Sequence, residues 1–273
     1  MLNPIGIFDS GYGGLTIFEK IRERLPEYDY LYLGDNARTP YGSRAFETVY
    51  RFTREAVASL FNRGCPLVIL ACNTASAKAL RTIQEYDLPQ IDPSRRVLGV
   101  IRPTVEAVDK LSQTKHIGIL GTAGTIASQS YVLEIAKLFP HITVHSEACP
   151  MWVPLVENRE YNSPGADYFV EKHIRRLMEK EARIDVVVLG CTHYPLLMDS
   201  IRRFLPESVT PFPQGGQVAA SLKDYLHRHP EMDARLTKNG RCRFLTTEAV
   251  DAFADTASIF LNRPVDAERI EIG

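Results

Sequence analysis

Short apolar segments alternate with amphipathic segments along most of this 273-residue chain, and this alternation strongly restricts its fold. Apolar runs of four or five residues predict strands that are buried on both faces. Such strands alternating with helical periodicity are typical of parallel α/β sheets. The predicted strands are 5–8, 30–33, 67–71, 97–100, 117–120, 142–145, 186–190 and 243–246, and the main predicted helices are 15–24, 45–62, 75–85, 103–111, 127–138, 166–181 and 249–261.

The chain also contains an internal repeat. Residues 68–74 (VILACNT) match residues 187–193 (VVLGCTH) at an offset of 119, and residues 5–11 (IGIFDSG) match residues 117–123 (IGILGTA) at an offset of 112. In both matches an apolar run ends in small and hydroxyl residues. Because open parallel sheets bind ligands at the carboxyl ends of their strands, we predict two related α/β halves with a shared cleft.

Composition and motif spacing argue against several classes of protein. The apolar fraction of 45% and charged fraction of 24% are ordinary for a globular protein, and a net charge of −1 without a basic face does not suggest a nucleic-acid partner. No stretch approaches the ~18 apolar residues of a membrane span, and no signal peptide is visible, so we expect a cytoplasmic protein without membrane contact. The five cysteines and the histidines lack the spacing of disulfide frameworks or metal sites, so we expect no metal.

Cys72 and Cys191 occupy equivalent places in the repeat, each between an apolar run and a predicted helix. A helix N-terminus lowers the pKa of a nearby thiol, and Asp9 and His193 are candidate proton-accepting neighbours. Two such groups can act as base and acid on opposite faces of an amino acid α-carbon, as racemisation requires. Packing is the simpler interpretation of the remaining cysteines, Cys65, Cys149 and Cys242.

Five segments, in order along nearly the whole chain, resemble the glutamate racemases, cofactor-independent enzymes that supply D-glutamate for peptidoglycan. They are GIFDSGYGGL (6–15), YLGDNARTPYGS (32–43), ACNTASA (71–77), CPMWVPLVE (149–157) and GCTHYPLL (190–197). The resemblance implies two pseudo-symmetric, flavodoxin-like α/β domains with the active site at their interface, and a homodimer. The implied domains are 1–98 plus 210–273, and 99–209. It also implies glutamate as the small-molecule substrate and no cofactor.

The same resemblance implies the roles of individual residues. Cys72 and Cys191 would be the catalytic acid–base pair, assisted by Asp9 and His193, and Glu157 lies in a segment whose acid is implicated near the family's site. The implied substrate contacts are Asp9, Ser10, Tyr41, Gly42, Ser43, Asn73, Thr74, Thr122, Thr125, Thr192 and His193. Hydroxyls, amides and strand-end N–H groups can bind a dicarboxylate without arginine.

Other residues fit supporting roles. We predict a structural ion pair between Asp35 and Arg38. The glycine-rich segment 11–14 lacks the spacing of a phosphate-binding loop. Asn36, Arg102 and residues 213–215 depart from the commoner family pattern, and these departures bear on regulation, subunit packing and the C-terminal hinge rather than on the chemistry.

Three alternatives remain open at this point. An aspartate or broad-specificity amino-acid racemase would use the same two thiols. A cysteine hydrolase would use Cys191 as the nucleophile with His193 nearby, but would leave Cys72 and the repeat unexplained. A two-lobed amino-acid-binding protein would not need two strand-end thiols.

Overall fold

The computed structural model describes residues 2–273, and within this range the chain forms two parallel sheets. The strands are β1 (Ile5–Asp9), β2 (Tyr30–Gly34), β3 (Leu67–Leu70), β4 (Arg96–Gly99), β5 (His116–Gly121), β6 (Thr143–Ala148), β7 (Val186–Gly190), β8 (Thr210–Phe212), β9 (Cys242–Thr246) and β10 (Ala267–Arg269). The α-helices are α1 (Gly14–Arg24), α2 (Phe46–Asn62), α3 (Asn73–Lys78), α4 (Leu80–Thr82), α5 (Leu88–Ile91), α6 (Ile101–Leu111), α7 (Ala123–Ala127), α8 (Ser130–Leu138), α9 (Trp152–Glu157), α10 (Pro164–Lys180), α11 (Met198–Phe204), α12 (Gly215–Arg228), α13 (Pro230–Asp233) and α14 (Val250–Leu261).

The two sheets share one strand order. The first runs β10-β9-β2-β1-β3-β4 and the second runs β6-β5-β7-β8, so the last four strands of the first match the second position by position. The internal repeat therefore falls on equivalent strands, β1 with β5 and β3 with β7. The predicted fold class, two flavodoxin-like α/β halves, is confirmed.

Apolar side chains cover both faces of each sheet. β1, β2, β3 and β7 are buried along their whole length, which explains why they read as unbroken apolar runs. On one face of the first sheet, Phe18 of α1 packs edge-on against Tyr30, Tyr32 and Phe244. These aromatic contacts hold α1, and with it the loop after β1, against the sheet.

The C-terminal part of the chain returns to the first half. β9 pairs with β2, and β10 pairs with β9. The predicted boundary at residue 210 separates β8 (Thr210–Phe212) from its neighbouring strand, because β8 pairs with β7 of the second sheet. β8 has one exposed and two partly exposed residues, one of them a proline, so its hydropathy carries no strand signal. The division into domains itself stays a prediction.

In the structure, the helix predicted at 75–85 begins two residues earlier than predicted and is interrupted. The Cys72 sulfur accepts a hydrogen bond from the backbone N–H of Ala75, so α3 begins at Asn73. The helix then breaks near Ala79 and continues through α4 into a π-helical turn, Ile83–Asp87. The early start brings Cys72 to the N-cap position, beside the free N–H groups of the first turn.

Candidate active site

Loops at the carboxyl ends of strands from both sheets enclose a cavity of about 160 Å³. The loops after β1, β2 and β3 come from the first sheet, and those after β5, β6 and β7 from the second. The residues predicted from the sequence that line the cavity are Ser10, Tyr41, Gly42, Ser43, Cys72, Asn73, Thr74, Thr122, Cys191, Thr192 and His193. The structure thus brings both repeated thiols to one cavity, although 119 residues of sequence separate them.

Two residues predicted to contact substrate, Asp9 and Thr125, are not part of the cavity lining. Both are almost fully buried, with 1% of each residue exposed. Asp9 ends β1, and its Oδ2 accepts the backbone N–H of Gly11 at 2.9 Å, whereas its Oδ1 is buried without a hydrogen-bond partner among residues 2–273. Burial raises the pKa of Asp9, although the charge of His193 opposes this change.

Cys72 lies at the N-cap of α3 with two hydrogen-bonding neighbours. Its Sγ accepts the backbone N–H of Ala75 at 3.4 Å and lies 3.3 Å from the Ser10 hydroxyl. Burial raises the pKa of Cys72 to about 12, and the charge of Asp9 acts in the same direction. The contacts with Ser10 and Ala75 act in the opposite direction, because both stabilise a thiolate.

Cys191 has a different neighbourhood, built around an imidazole. His193 Nδ1 lies 3.8 Å from the Cys191 sulfur, and its Nε2 lies 3.0 Å from Glu157 Oε1. Burial by itself lowers the pKa of His193, but its contacts with Cys191 and Glu157 outweigh burial and raise that pKa to about 10. His193 is therefore an imidazolium at neutral pH, and it places a positive charge 3.8 Å from the Cys191 sulfur.

The glycine-rich loop after β1 is needed for close approach to the second half. A Cβ atom on Gly13 would overlap both the His193 ring and the Thr192 hydroxyl. One turn further on, the Thr16 hydroxyl donates to the Thr192 carbonyl at 2.9 Å. The loop 11–14 therefore docks the start of α1 against the Cys191 loop, a packing role that a phosphate-binding interpretation would have missed.

Threonine hydroxyls connect the two halves on the other side of the cavity. Thr74 Oγ1 lies 3.1 Å from Thr122 Oγ1 and 3.3 Å from Thr125 Oγ1, and the last two lie 3.0 Å apart. The backbone N–H of Gly124 donates to the Gly42 carbonyl at 2.7 Å. These contacts fix the loop after β5 against the loops after β2 and β3 of the first sheet.

Tyr41 contributes its ring to the cavity wall, since its hydroxyl is committed elsewhere. The hydroxyl donates to Asp35, whose other contacts include Arg38 Nε at 2.7 Å. The structural ion pair predicted between Asp35 and Arg38 is present. Arg38 also contacts Glu55 at 2.5 Å, so this carboxylate cluster braces the loop from outside the cavity.

Part of the cavity wall was not predicted from the sequence. These residues are apolar or small and lie in the segments 39–43, 122–125 and 149–157: Thr39, Pro40, Ala123, Pro150, Val153 and Pro154. All but Ala123 belong to segments quoted for the family resemblance, which was the available signal. Neither arginine nor lysine lines the cavity in the described part of the chain, so the polar groups facing a ligand are hydroxyls, amides, thiols and the His193 imidazole.

Outside the cavity, the fold brings together one group with metal-binding chemistry that sequence spacing did not indicate. His116 and His145 lie on the paired strands β5 and β6, with 3.3 Å between His116 Nδ1 and His145 Nε2, and Glu181 lies near them. A hydrogen bond between the two imidazoles satisfies that pair, and Arg183 pairs with Glu181 at 2.7 Å. These side chains are therefore accounted for by contacts with one another.

Within residues 2–273, none of the helices combines the length and the apolar character that a membrane crossing requires.

Comparison with known proteins shows the family to which this chain belongs. A family model described as Asp/Glu/Hydantoin racemase matches residues 6–220. A glutamate racemase of Listeria monocytogenes is 39% identical over the full length of both chains, and one of a Ruegeria species is 39% identical over 97% of this chain and 98% of its own.

Solved structures agree with these sequence matches. A glutamate racemase isoform of Bacillus anthracis superposes with a TM-score of 0.89 at 34% identity, covering 98% of this chain and 97% of that one. A glutamate racemase of Francisella tularensis, solved in complex with D-glutamate, gives 0.87 at 31% identity with the same coverage of both chains. This chain therefore belongs to the Asp/Glu/Hydantoin racemase family of isomerases.

Proposed function

We propose that this protein interconverts L- and D-glutamate without a cofactor, with Cys72 and Cys191 as the acid–base pair. The observation that carries the proposal is that both thiols, from equivalent strand ends of the two halves, line one cavity. The glutamate assignment is supported by relatives that bear this activity in their names and by the D-glutamate complex of the Francisella tularensis structure.

The proposed reaction starts from unequal thiols. The imidazolium of His193 lies beside the Cys191 sulfur, whereas burial raises the pKa of Cys72 and keeps the proton on that thiol. Cys191 would remove the α-proton of the enantiomer whose C–H bond faces it. Cys72 would then deliver its own proton to the opposite face of the carbanion, giving the mirror image. The reverse reaction starts with Cys72 as thiolate and Cys191 as thiol, so the proton count balances in both directions.

The polar groups of the lining would bind the two carboxylates and the amino group. Thr74, Thr122 and Thr192 supply hydroxyls, Asn73 supplies an amide, and Ser10 lies beside Cys72. Neutral donors in a buried site can bind carboxylates without placing a fixed cation beside the carbanion, and such preorganised groups are more effective there than in water. Asp9 and Glu157, which do not line the cavity, would act through charge, Asp9 on the pKa of Cys72 and Glu157 on the pKa of His193.

We further propose that the product D-glutamate supplies peptidoglycan synthesis, that the enzyme acts in the cytoplasm, and that it forms a homodimer. We also propose the two-domain division 1–98 plus 210–273, and 99–209, except that β8 (Thr210–Phe212) is placed with the second domain, whose sheet it joins. These statements rest on the family resemblance and on the return of β9 and β10 to the first sheet.

The test is incubation with L-glutamate in D₂O without pyridoxal phosphate, followed by NMR of the α-position and by chiral analysis. We expect D-glutamate to accumulate to equal amounts with L-glutamate, with solvent deuterium at the α-carbon. Faster turnover of aspartate in the same assay would contradict the glutamate assignment. Release of product from esters or amides, without α-deuteration, would instead support a Cys191 hydrolase.

A further inference from the structure

Three buried polar side chains form a closed ring behind the cavity wall. Asn73 Nδ2 donates to Gln214 Oε1 at 2.8 Å, and Gln214 Nε2 donates back to Asn73 Oδ1 at 3.1 Å. The Tyr131 hydroxyl donates to the same Asn73 oxygen at 2.7 Å and accepts a hydrogen bond from Gln214 Nε2. Asn73 and Gln214 are 2% exposed and Tyr131 is 3% exposed, so water does not compete for these bonds.

The ring connects the two thiol-bearing strand ends. Asn73 directly follows Cys72. Tyr131, on α8 of the second half, packs its ring against Gly190, where an added Cβ would lie 3.4 Å from Tyr131 Cε2; Gly190 directly precedes Cys191. Gln214 lies at the start of α12, where the chain returns to the first half. One residue of the returning segment thus contacts side chains from both halves.

The hydrogen bonds that Asn73 makes within the ring determine which of its polar groups can still bind a ligand. Both acceptor positions of its Oδ1 are taken, by Tyr131 and by Gln214. Of its two N–H groups, one is donated to Gln214. Because Asn73 lines the cavity, the group that remains is an N–H donor, and rotating the amide to present oxygen would break three hydrogen bonds.

We propose that Gln214 is a positioning residue that orients Asn73 as a hydrogen-bond donor to a substrate carboxylate and holds the two thiol-bearing strand ends together. The proposal deepens, and rests on, the proposed racemisation of glutamate.

The test compares Gln214→Met with Gln217→Met, since methionine keeps the length of the side chain and removes the amide. Gln217 is a partly exposed residue in the first turn of the same helix and is the matched control. We expect Gln214→Met to raise KM about tenfold for both enantiomers, with a smaller change in kcat, because substrate binding loses an oriented donor. Gln217→Met should keep the wild-type KM. A wild-type KM in folded Gln214→Met would overturn the proposal.

If Gln214→Met does not fold, Tyr131→Phe is the alternative test, because it removes only one hydroxyl from the ring. We expect it to raise KM about threefold, and an unchanged KM in this variant would overturn the proposal.

A second readout does not depend on the reaction. Without substrate, a thiol reagent followed by peptide mass spectrometry should label Cys72 and Cys191, each 6% exposed, several-fold faster in Gln214→Met than in Gln217→Met. If the wild-type protein fails to racemise glutamate, the proposed function fails, but labelling still decides whether Gln214 holds the strand ends together. Equal labelling rates in the two variants would overturn that role.

Discussion

The two thiols occupy equivalent strand ends, yet their surroundings differ in charge. Beside Cys191 stands His193, whose pKa of about 10 leaves it protonated at neutral pH. Beside Cys72 stands Asp9, and burial together with that carboxyl raises the pKa of the Cys72 thiol to about 12. The backbone repeat thus decides where the sulfurs lie. The neighbouring side chains decide what charge surrounds each sulfur.

Removing either sulfur should have the largest effect, because one face of the α-carbon would then lack its proton donor or acceptor. We expect Cys72→Ser and Cys191→Ser each to lower kcat for racemisation about 10²–10⁴-fold. The two variants should differ in α-proton exchange: in D₂O, Cys72→Ser should still wash out the α-proton of one enantiomer, through Cys191.

Cys242→Ser provides the control, because Cys242 lies on β9 and does not line the cavity. Turnover close to wild type in Cys72→Ser or Cys191→Ser would contradict the two-thiol mechanism.

Exchanging the helper beside each thiol should have the next largest effect. We expect His193→Gln to lower kcat about 10²-fold, at the lower end of the range for acid–base groups, because Cys191 loses its positive neighbour. Asp9→Asn should have a smaller effect, since it removes a carboxyl that raises the pKa of Cys72. The measurement is kcat for each variant in both directions. A larger loss in Asp9→Asn than in His193→Gln would reverse the assigned difference between the two thiols.

Glu157→Gln should test the difference between the two thiols through the pH dependence of kcat. Glu157 helps to raise the pKa of His193, so its neutral replacement should lower that pKa from about 10. The alkaline decline of kcat should therefore move to lower pH, while kcat at neutral pH falls no more than about tenfold, or ~1.4 kcal/mol. An alkaline limb at the wild-type position would show that Glu157 does not act through His193.

The remaining expected effect is on stability and not on turnover. The pKa of His193 rises from the ordinary 6.5 to about 10 on folding, so the folded protein binds this proton more tightly than the unfolded chain. The corresponding part of the unfolding free energy is complete below pH 6.5 and is lost as the pH rises toward 10. Denaturant unfolding between pH 6.5 and 9 should therefore show stability falling with pH in the wild type and a flatter dependence in His193→Gln. Parallel curves would contradict the raised pKa.

The internal repeat and the apolar runs predict much of the fold, because buried parallel strands leave a strong local signal. β1 and β7 lie within one residue of their predicted bounds at each end. β8 and β10 were missed, since three-residue edge strands bury too little for their hydropathy to stand out. They are defined by tertiary pairing instead.

Within the site, the thiols could be predicted because both repeat copies contain them. The positions of Asp9 and Thr125 behind the cavity wall could not, since periodicity places a residue at a strand end but not on one side of a wall. Gln214 gave no sign of its contacts with Asn73 and Tyr131, because only the folded chain brings segments about 141 and 83 residues apart together.

The return of the chain to the first sheet also sets an order of assembly during synthesis. All four strands of the second sheet lie between residues 116 and 212 and can pair as soon as that stretch has left the ribosome. The first sheet stays incomplete until β9 covers the edge of β2, which carries the apolar sequence YLYLG. A chain stopped before Cys242 would expose that edge, and aggregation through β2 would follow even though both thiols had already been made.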